Sequence, residues 1–228
     1  IHAARLAKGR SLRLVFVLPH GHNTFMDLLL EEVRSTAERM VHERCFIDVR
    51  FVEAFDGAAV AATLNDLSAQ DWDGVAVVVP DAQLVREAID ACIARGLKLV
   101  TLVSDLPSSG RQHFVGIDNI AAGRVAGRLL GRLNAGRSGR IALIAGSLVL
   151  RDHMERYMGC EQVLRAEFPG LTALPVIEGR DDAETTAAAV RELLLSYSDI
   201  VGIYNMGAGN RGLIRELKTA RQPGQVVT

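Results

Sequence analysis

Disulfides, metals, membranes and nucleic acids all find little purchase in this sequence. Three cysteines in 228 residues (Cys45, Cys92 and Cys160) stand at no metal-ligand or redox spacing. So sparse and odd a count argues against a disulfide framework and for a reducing, cytoplasmic compartment. Neither sign of charge dominates: 26 Lys and Arg face 27 Asp and Glu, a net charge of −1. This segment therefore has no overall basic field with which to hold nucleic acid. No stretch approaches about 18 uninterrupted apolar residues, which excludes a membrane-spanning helix. The first ten residues carry no apolar segment of the kind a secretory leader needs. The H-E-x-x-H, G-x-S-x-G and G-x-x-x-x-G-K-[ST] patterns are missing, so an enzyme reading has no nucleophile, metal or phosphate loop to start from.

What is present is ordinary globular material, 49% hydrophobic and 23% charged. Short apolar runs with strand character recur at 12–18, 46–52, 74–79, 97–103, 113–117, 140–145, 173–177 and 200–204. Helix-period segments separate most of them. Leu28, Leu29, Val33, Thr36, Ala37 and Met40 keep one face apolar, as do Leu84, Val85, Ala88, Ile89 and Cys92. Strands that are apolar on both faces and alternate with helices predict an α/β fold with parallel sheets covered by helices. The short strand near Val115 predicts two similar lobes, 11–117 and 118–228. Asp81, Asp118-Asn119 and Asp181-Asp182 stand where helix caps are expected. Arg124, Arg128 and Arg132, at spacing four, predict a solvated face on the helix that follows Asp118. Gly123, Gly127 and Gly131 run beside them and predict close approach of another element of the chain.

Two motifs invite a chemical reading. Gly207-Ala208-Gly209-Asn210-Arg211-Gly212 fits G-x-G-x-x-G after a strand. A dinucleotide site normally places that pattern in its first βα unit, and here many units precede it, so a turn that seats a helix fits better. His20 and His22 lack a third ligand at known spacing and read as a polar loop rather than a metal site. Ligands of open α/β sheets bind beyond the carboxyl ends of the strands. The groups there are Asn23 and Phe25, Asp81, Ser104 and Asp105, Asp118, Arg151 and Arg156, and Asn205. Carboxylates, amides, guanidinium groups and an aromatic face suit a polyhydroxyl ligand. Arg156, early in the helix after 140–145, stands out among them. Its replacement by alanine is expected to weaken ligand binding while hardly moving stability.

Four stretches resemble the effector-binding core of lactose-repressor-type (LacI family) transcription regulators. Ala3-Ala4-Arg5-Leu6-Ala7-Lys8-Gly9-Arg10-Ser11-Leu12-Arg13-Leu14 is similar to their hinge. Pro19-His20-Gly21-His22-Asn23-Thr24-Phe25-Met26 resembles their first ligand loop, with Thr24 where proline is usual. Val115-Gly116-Ile117-Asp118-Asn119, with Ala122-Gly123 and Ala126-Gly127, is similar to their crossover. Arg156-Tyr157-Met158-Gly159-Cys160 resembles their R-x-x-G helix, with Cys160 in place of an aromatic. The stretch 204–210 fits only with a one-residue shift, which leaves Asn205 a weaker match than Arg156. The resemblance implies a type 1 periplasmic-binding-protein fold whose two lobes close over a sugar or sugar acid. Its ligand residues would be Asn23, Phe25, Asp81, Asp105, Asp118, Arg151, Arg156 and Asn205, with no catalytic residue, metal or cofactor. It also implies a homodimer and operator DNA bound through a helix-turn-helix head outside this chain. Residues 1–10 would be a hinge remnant, and the core's last strands would lie beyond Thr228. A periplasmic sugar-binding protein of a transport system is the alternative.

Overall fold

The computed structural model describes residues 11–21, 23–67, 72–220 and 224–228. The hinge-like residues 1–10 and His22 lie outside them. Contacts divide the chain into two compact units, Ile1–Gly116 and Ile117–Thr228.

In the first unit, β1 (Leu12–His20), β2 (Cys45–Glu53), β3 (Gly74–Val77), β4 (Lys98–Leu102) and β5 (His113–Val115) form a parallel sheet in the order β2-β1-β3-β4-β5. Successive side chains of a strand face opposite sides, and the packing follows that alternation. Val15, Val17, Val75 and Val77 join one core. Phe16, Leu18, Ala76 and Val78 join another on the opposite face. Helices α2 (Gly57–Leu67) and α3 (Gln83–Ala94) cover the first core through Val60, Leu64, Val85 and Ile89. Helix α1 (Thr24–Met40) covers the second through Met26, Leu29 and Leu30.

The second unit repeats the scheme. Its parallel sheet holds β6 (Gly139–Ala145), β7 (Leu171–Ala173), β8 (Ile177–Glu178) and β9 (Ile200–Asn205). Ile141, Leu143 and Ala145 of β6 belong to one core, and Ala142 and Ile144 to the other. The first core includes Leu130 of α4 (Asn119–Leu133) and Cys160 and Leu164 of α5 (Arg151–Glu167). The second core takes Val190 and Leu193 of α6 (Ala183–Ser196) and Leu213 of α7 (Asn210–Ala220). Val227 adds to the sheet by bonding Val201 and Ile203 of β9. No helix among the described residues is long and apolar enough to cross a membrane.

Three sequence expectations need correction. The run 173–177 is not one strand: it straddles Pro175, which has no N–H for a ladder, and β7 ends before it while β8 starts after it. Asp81 does not cap α3. Ala82 holds the cap position without a side-chain bond, and Asp81 pairs with Arg86 instead. The α4 arginines do not form a purely solvated face. Arg124 donates to Gln162 at 3.0 and 2.9 Å, and Arg128 donates to Glu167, both on α5.

The glycines beside those arginines have a clear cause. A Cβ at Gly123 would lie well within 3.0 Å of the Arg156 carbonyl, and one at Gly127 would sit 2.9 Å from the Cys160 carbonyl. Gly159 on α5 meets the Ile120 carbonyl in the same way. Helices α4 and α5 thus pack backbone against backbone.

The three cysteines are buried core residues. Burial pushes the Cys92 thiol up to about 11 and that of Cys160 to about 12. Because the thiolate is the reactive form, iodoacetamide at neutral pH should leave Cys92 and Cys160 unmodified in the folded chain and label both in urea. Mass spectrometry of tryptic peptides checks this, and rapid native labelling of either would contradict it.

Candidate functional site

Each unit presents polar side chains beyond the carboxyl ends of its strands. In the first unit, Asn23 caps α1, its oxygen accepting from the amides of Phe25 at 3.0 Å and Met26 at 3.4 Å. That cap holds the first turn of the helix in place. It leaves Phe25 55% exposed, the position an aromatic stacking on a ligand requires. Asp81, also exposed, follows the buried run that leaves β3.

Asp105 is committed within its own unit. Its carboxylate accepts from Thr101 Oγ1 at 2.7 Å, the Leu106 amide at 2.8 Å, and Arg111 through both Nε and Nη2. Burial raises its pKa, but those hydrogen bonds and the Arg111 charge outweigh it and hold the carboxyl below the ordinary aspartate value. A depressed folded pKa means the pair's contribution to stability is complete above the unfolded value of about 3.9 and is lost as pH falls through the folded value. Asp105→Asn removes this titration. Urea midpoints followed from about pH 5 to about pH 2 should therefore fall less steeply in the variant than in the parent. Parallel curves would contradict this account of Asp105.

A pocket of about 310 Å³ opens beside the end of β1, lined in part by His20, Met26, Leu30 and Phe51. His20 packs edge-on against Phe51 at 5.9 Å. Neither Asn23 nor Phe25 lines this pocket.

In the second unit, Asp118 caps α4 by accepting from the Ala121 amide at 2.8 Å. Arg151 pairs with Glu155 one turn along α5 at 2.7 Å. Asn205 shapes its own loop. Its amide group donates to the Ala208 carbonyl at 2.8 Å and to Asn210 at 3.0 Å, and its oxygen accepts from the Gly207 amide at 3.3 Å.

Arg156 is held differently. Nε donates to Asn119 Oδ1 at 2.9 Å, and Nη1 donates to the Met206 carbonyl at 2.8 Å. A guanidinium carries five N–H groups. Both N–H groups of Nη2 and one of Nη1 therefore have no partner among the described residues. Burial raises the pKa of the nearby Tyr204 hydroxyl, and the Arg156 charge opposes that shift.

Sequence reasoning passes over several residues that build this region. Asn119 is 2% exposed and follows Asp118 directly; the D-N doublet is visible in the sequence, but only its first member reads as a site residue there. Glu178 accepts from the Ser147 hydroxyl at 3.0 Å and the Leu148 amide at 2.8 Å, tying down the loop that leads into α5. Asp181 adopts a left-handed backbone with φ 56° and accepts from the Ala208 amide at 2.8 Å. Its neighbour Asp182 caps α6 through the Thr185 amide at 2.7 Å.

Asp181 and the glycines around it account for the G-x-G-x-x-G stretch. Asp181 occupies the Ala208 amide in that loop. A Cβ at Gly209 would overlap Thr186, and one at Gly212 would overlap the Ala183 carbonyl. The pattern seats α7 against α6.

The sequence matches the family described as periplasmic binding protein domain over residues 14–228. No curated protein matches it. Among solved structures it is similar to an ABC transporter solute binding protein from Burkholderia graminis in complex with D-arabinose. The TM-score is 0.83 at 22% identity, over 91% of this chain and 70% of that one. It is also similar to GanP, a glucose-galactose binding protein from Geobacillus stearothermophilus, with TM-score 0.81 and 21% identity over 92% and 74% of the two chains. An Agrobacterium vitis solute binding protein bound with alpha-D-tagatopyranose gives TM-score 0.81 at 16% identity, over 95% and 75%. Such identities speak to the fold. With two helix-covered parallel sheets and a family match over nearly its whole length, the chain belongs to the periplasmic binding protein domain family.

Proposed function

We propose that this chain is a non-catalytic binding domain for a small polyhydroxyl ligand, a monosaccharide or a close derivative. In this reading it is the solute-binding component of a transport system. The observation that carries the reading is the state of Arg156. Two protein acceptors fix its guanidinium, and among the described residues its other three N–H groups have no partner, which leaves them for a ligand. Planar donors in a fixed fork suit vicinal hydroxyls or a carboxylate. Within the first unit, Phe25 offers an exposed aromatic face, and Asn23 and Asp81 offer polar groups at the ends of their strands. Asp105, Asp118 and Asn205 act mainly by shaping their own loops, each within its unit, and Arg151 serves a ligand that carries a carboxylate or phosphate. The sugars named with the similar solved structures support the ligand class.

A thermal-shift screen against neutral monosaccharides, sugar acids and polyols tests this. A ligand at about 100 times its dissociation constant adds about 2.7 kcal/mol of stability, so one of these classes should raise the melting temperature by several degrees. Stabilisation by nucleotides alone would overturn the reading.

A second reading is favoured by one observation, the hinge-like stretch 3–14. On this reading the chain is the effector core of a cytoplasmic LacI-type regulator. It would work as a homodimer, and ligand binding would shift operator affinity by favouring one conformation. The coding sequence upstream of Ile1 separates the two: a helix-turn-helix supports the regulator and a secretory leader supports the transport protein.

A further inference from the structure

We infer that Asn119 is the positioning residue for Arg156, fixing the orientation in which its guanidinium meets a ligand. The inference rests on the ligand reading of Arg156 given above. Asn119 is the first residue of α4 and is 2% exposed, although its side chain is an amide. A buried amide stays only where its polar atoms are used, and both ends of this one are. Nδ2 donates to the Ile117 carbonyl at 3.3 Å, which sets the rotamer, and Oδ1 accepts from Arg156 Nε at 2.9 Å.

The bond to Nε matters because of where it acts. Nε lies at the base of the guanidinium plane. An acceptor there, with the Met206 carbonyl on Nη1, fixes the plane at two points and leaves Nη2 without a partner among the described residues. The backbones beneath are equally constrained. Gly123, one turn along α4 from Asn119, abuts the Arg156 carbonyl, and Gly159 abuts the Ile120 carbonyl. The Cα of Arg156 and the amide of Asn119 are therefore carried on two helices whose backbones lie in close contact. A flexible four-bond side chain gains a single orientation from this frame, and its ordering entropy is spent before any ligand arrives.

The test is ¹⁵N-edited NMR of arginine side chains in the ligand-free chain, with calorimetry using D-arabinose as the probe. Arg156→Ala assigns the Nε–H resonance. In the parent that signal should be sharp and slow to exchange. It should broaden or vanish in Asn119→Ala and return in Asn119→Asp, whose carboxylate can still accept from Nε. D-arabinose affinity should fall on the order of tenfold in Asn119→Ala and recover largely in Asn119→Asp. In the Asn119→Ala/Arg156→Ala double variant, affinity should match that of Arg156→Ala alone. A sharp, protected Nε–H in Asn119→Ala, or none in the parent, overturns the positioning role. If the NMR result holds while Arg156→Ala binds D-arabinose as the parent does, the positioning role stands and the ligand reading of Arg156 fails.

Discussion

Gly123→Ala is expected to destabilise the second unit by about 2–4 kcal/mol, although alanine is the better helix former by about 1 kcal/mol. The added methyl would fall on the Arg156 carbonyl, which is backbone and cannot swing away as a side-chain tip can. Relief requires α4 and α5 to separate. That would open the packing along the whole pair, including Gly127 against Cys160 and Gly131 against Phe168. Gly136→Ala is the control. Gly136 has a left-handed φ of 78° but nothing within 4 Å of an added Cβ, so its cost is the backbone term alone, about 1 kcal/mol. Urea denaturation followed by far-ultraviolet circular dichroism measures both. Gly123→Ala as stable as the parent would show that the two helices are not held together as described.

Arg156→Ala should weaken ligand binding by roughly 2–4 kcal/mol, thirtyfold to several hundredfold, as when a charge-assisted hydrogen bond is removed from a binding site. It should also lower stability, contrary to the expectation from sequence. Without Arg156, the buried Asn119 Oδ1 and the Met206 carbonyl lose their donor, and each unsatisfied group costs about 1–3 kcal/mol where water cannot replace the partner. Arg156→Lys keeps the charge but not the planar fork or the Nε donor, and should bind ligand nearly as poorly. Titration calorimetry with the best ligand from the thermal screen, beside urea melts of all three proteins, separates the two effects. Full affinity in Arg156→Ala would remove this residue from the site.

The strands and their two-sided burial were legible in the sequence because alternation is local. Val15, Val17, Phe16 and Leu18 declare both faces of β1 within four residues. The glycine ridge of α4 was legible for the same reason: three costly residues at spacing four need a cause. The partner they serve could not be read, because Arg156 and Gly159 lie more than thirty residues along the chain and nothing local ties them to Asn119 or Ile120. Asp81 misled because an aspartate just before a helix has two uses, and Arg86 one turn into α3 captured it. Arg156 was found among the strand-end groups. What sets it apart, two acceptors behind and three donors without a partner among the described residues, is a property of the assembled second unit.

The most direct test of a sugar-binding domain is calorimetric titration of the chain with D-arabinose, D-galactose, D-glucose and D-tagatose. At least one is expected to bind with one-to-one stoichiometry and a dissociation constant of about 100 μM or tighter, that is about −5.5 kcal/mol or more favourable. No saturable heat from any of them, up to about 10 mM ligand, would contradict it.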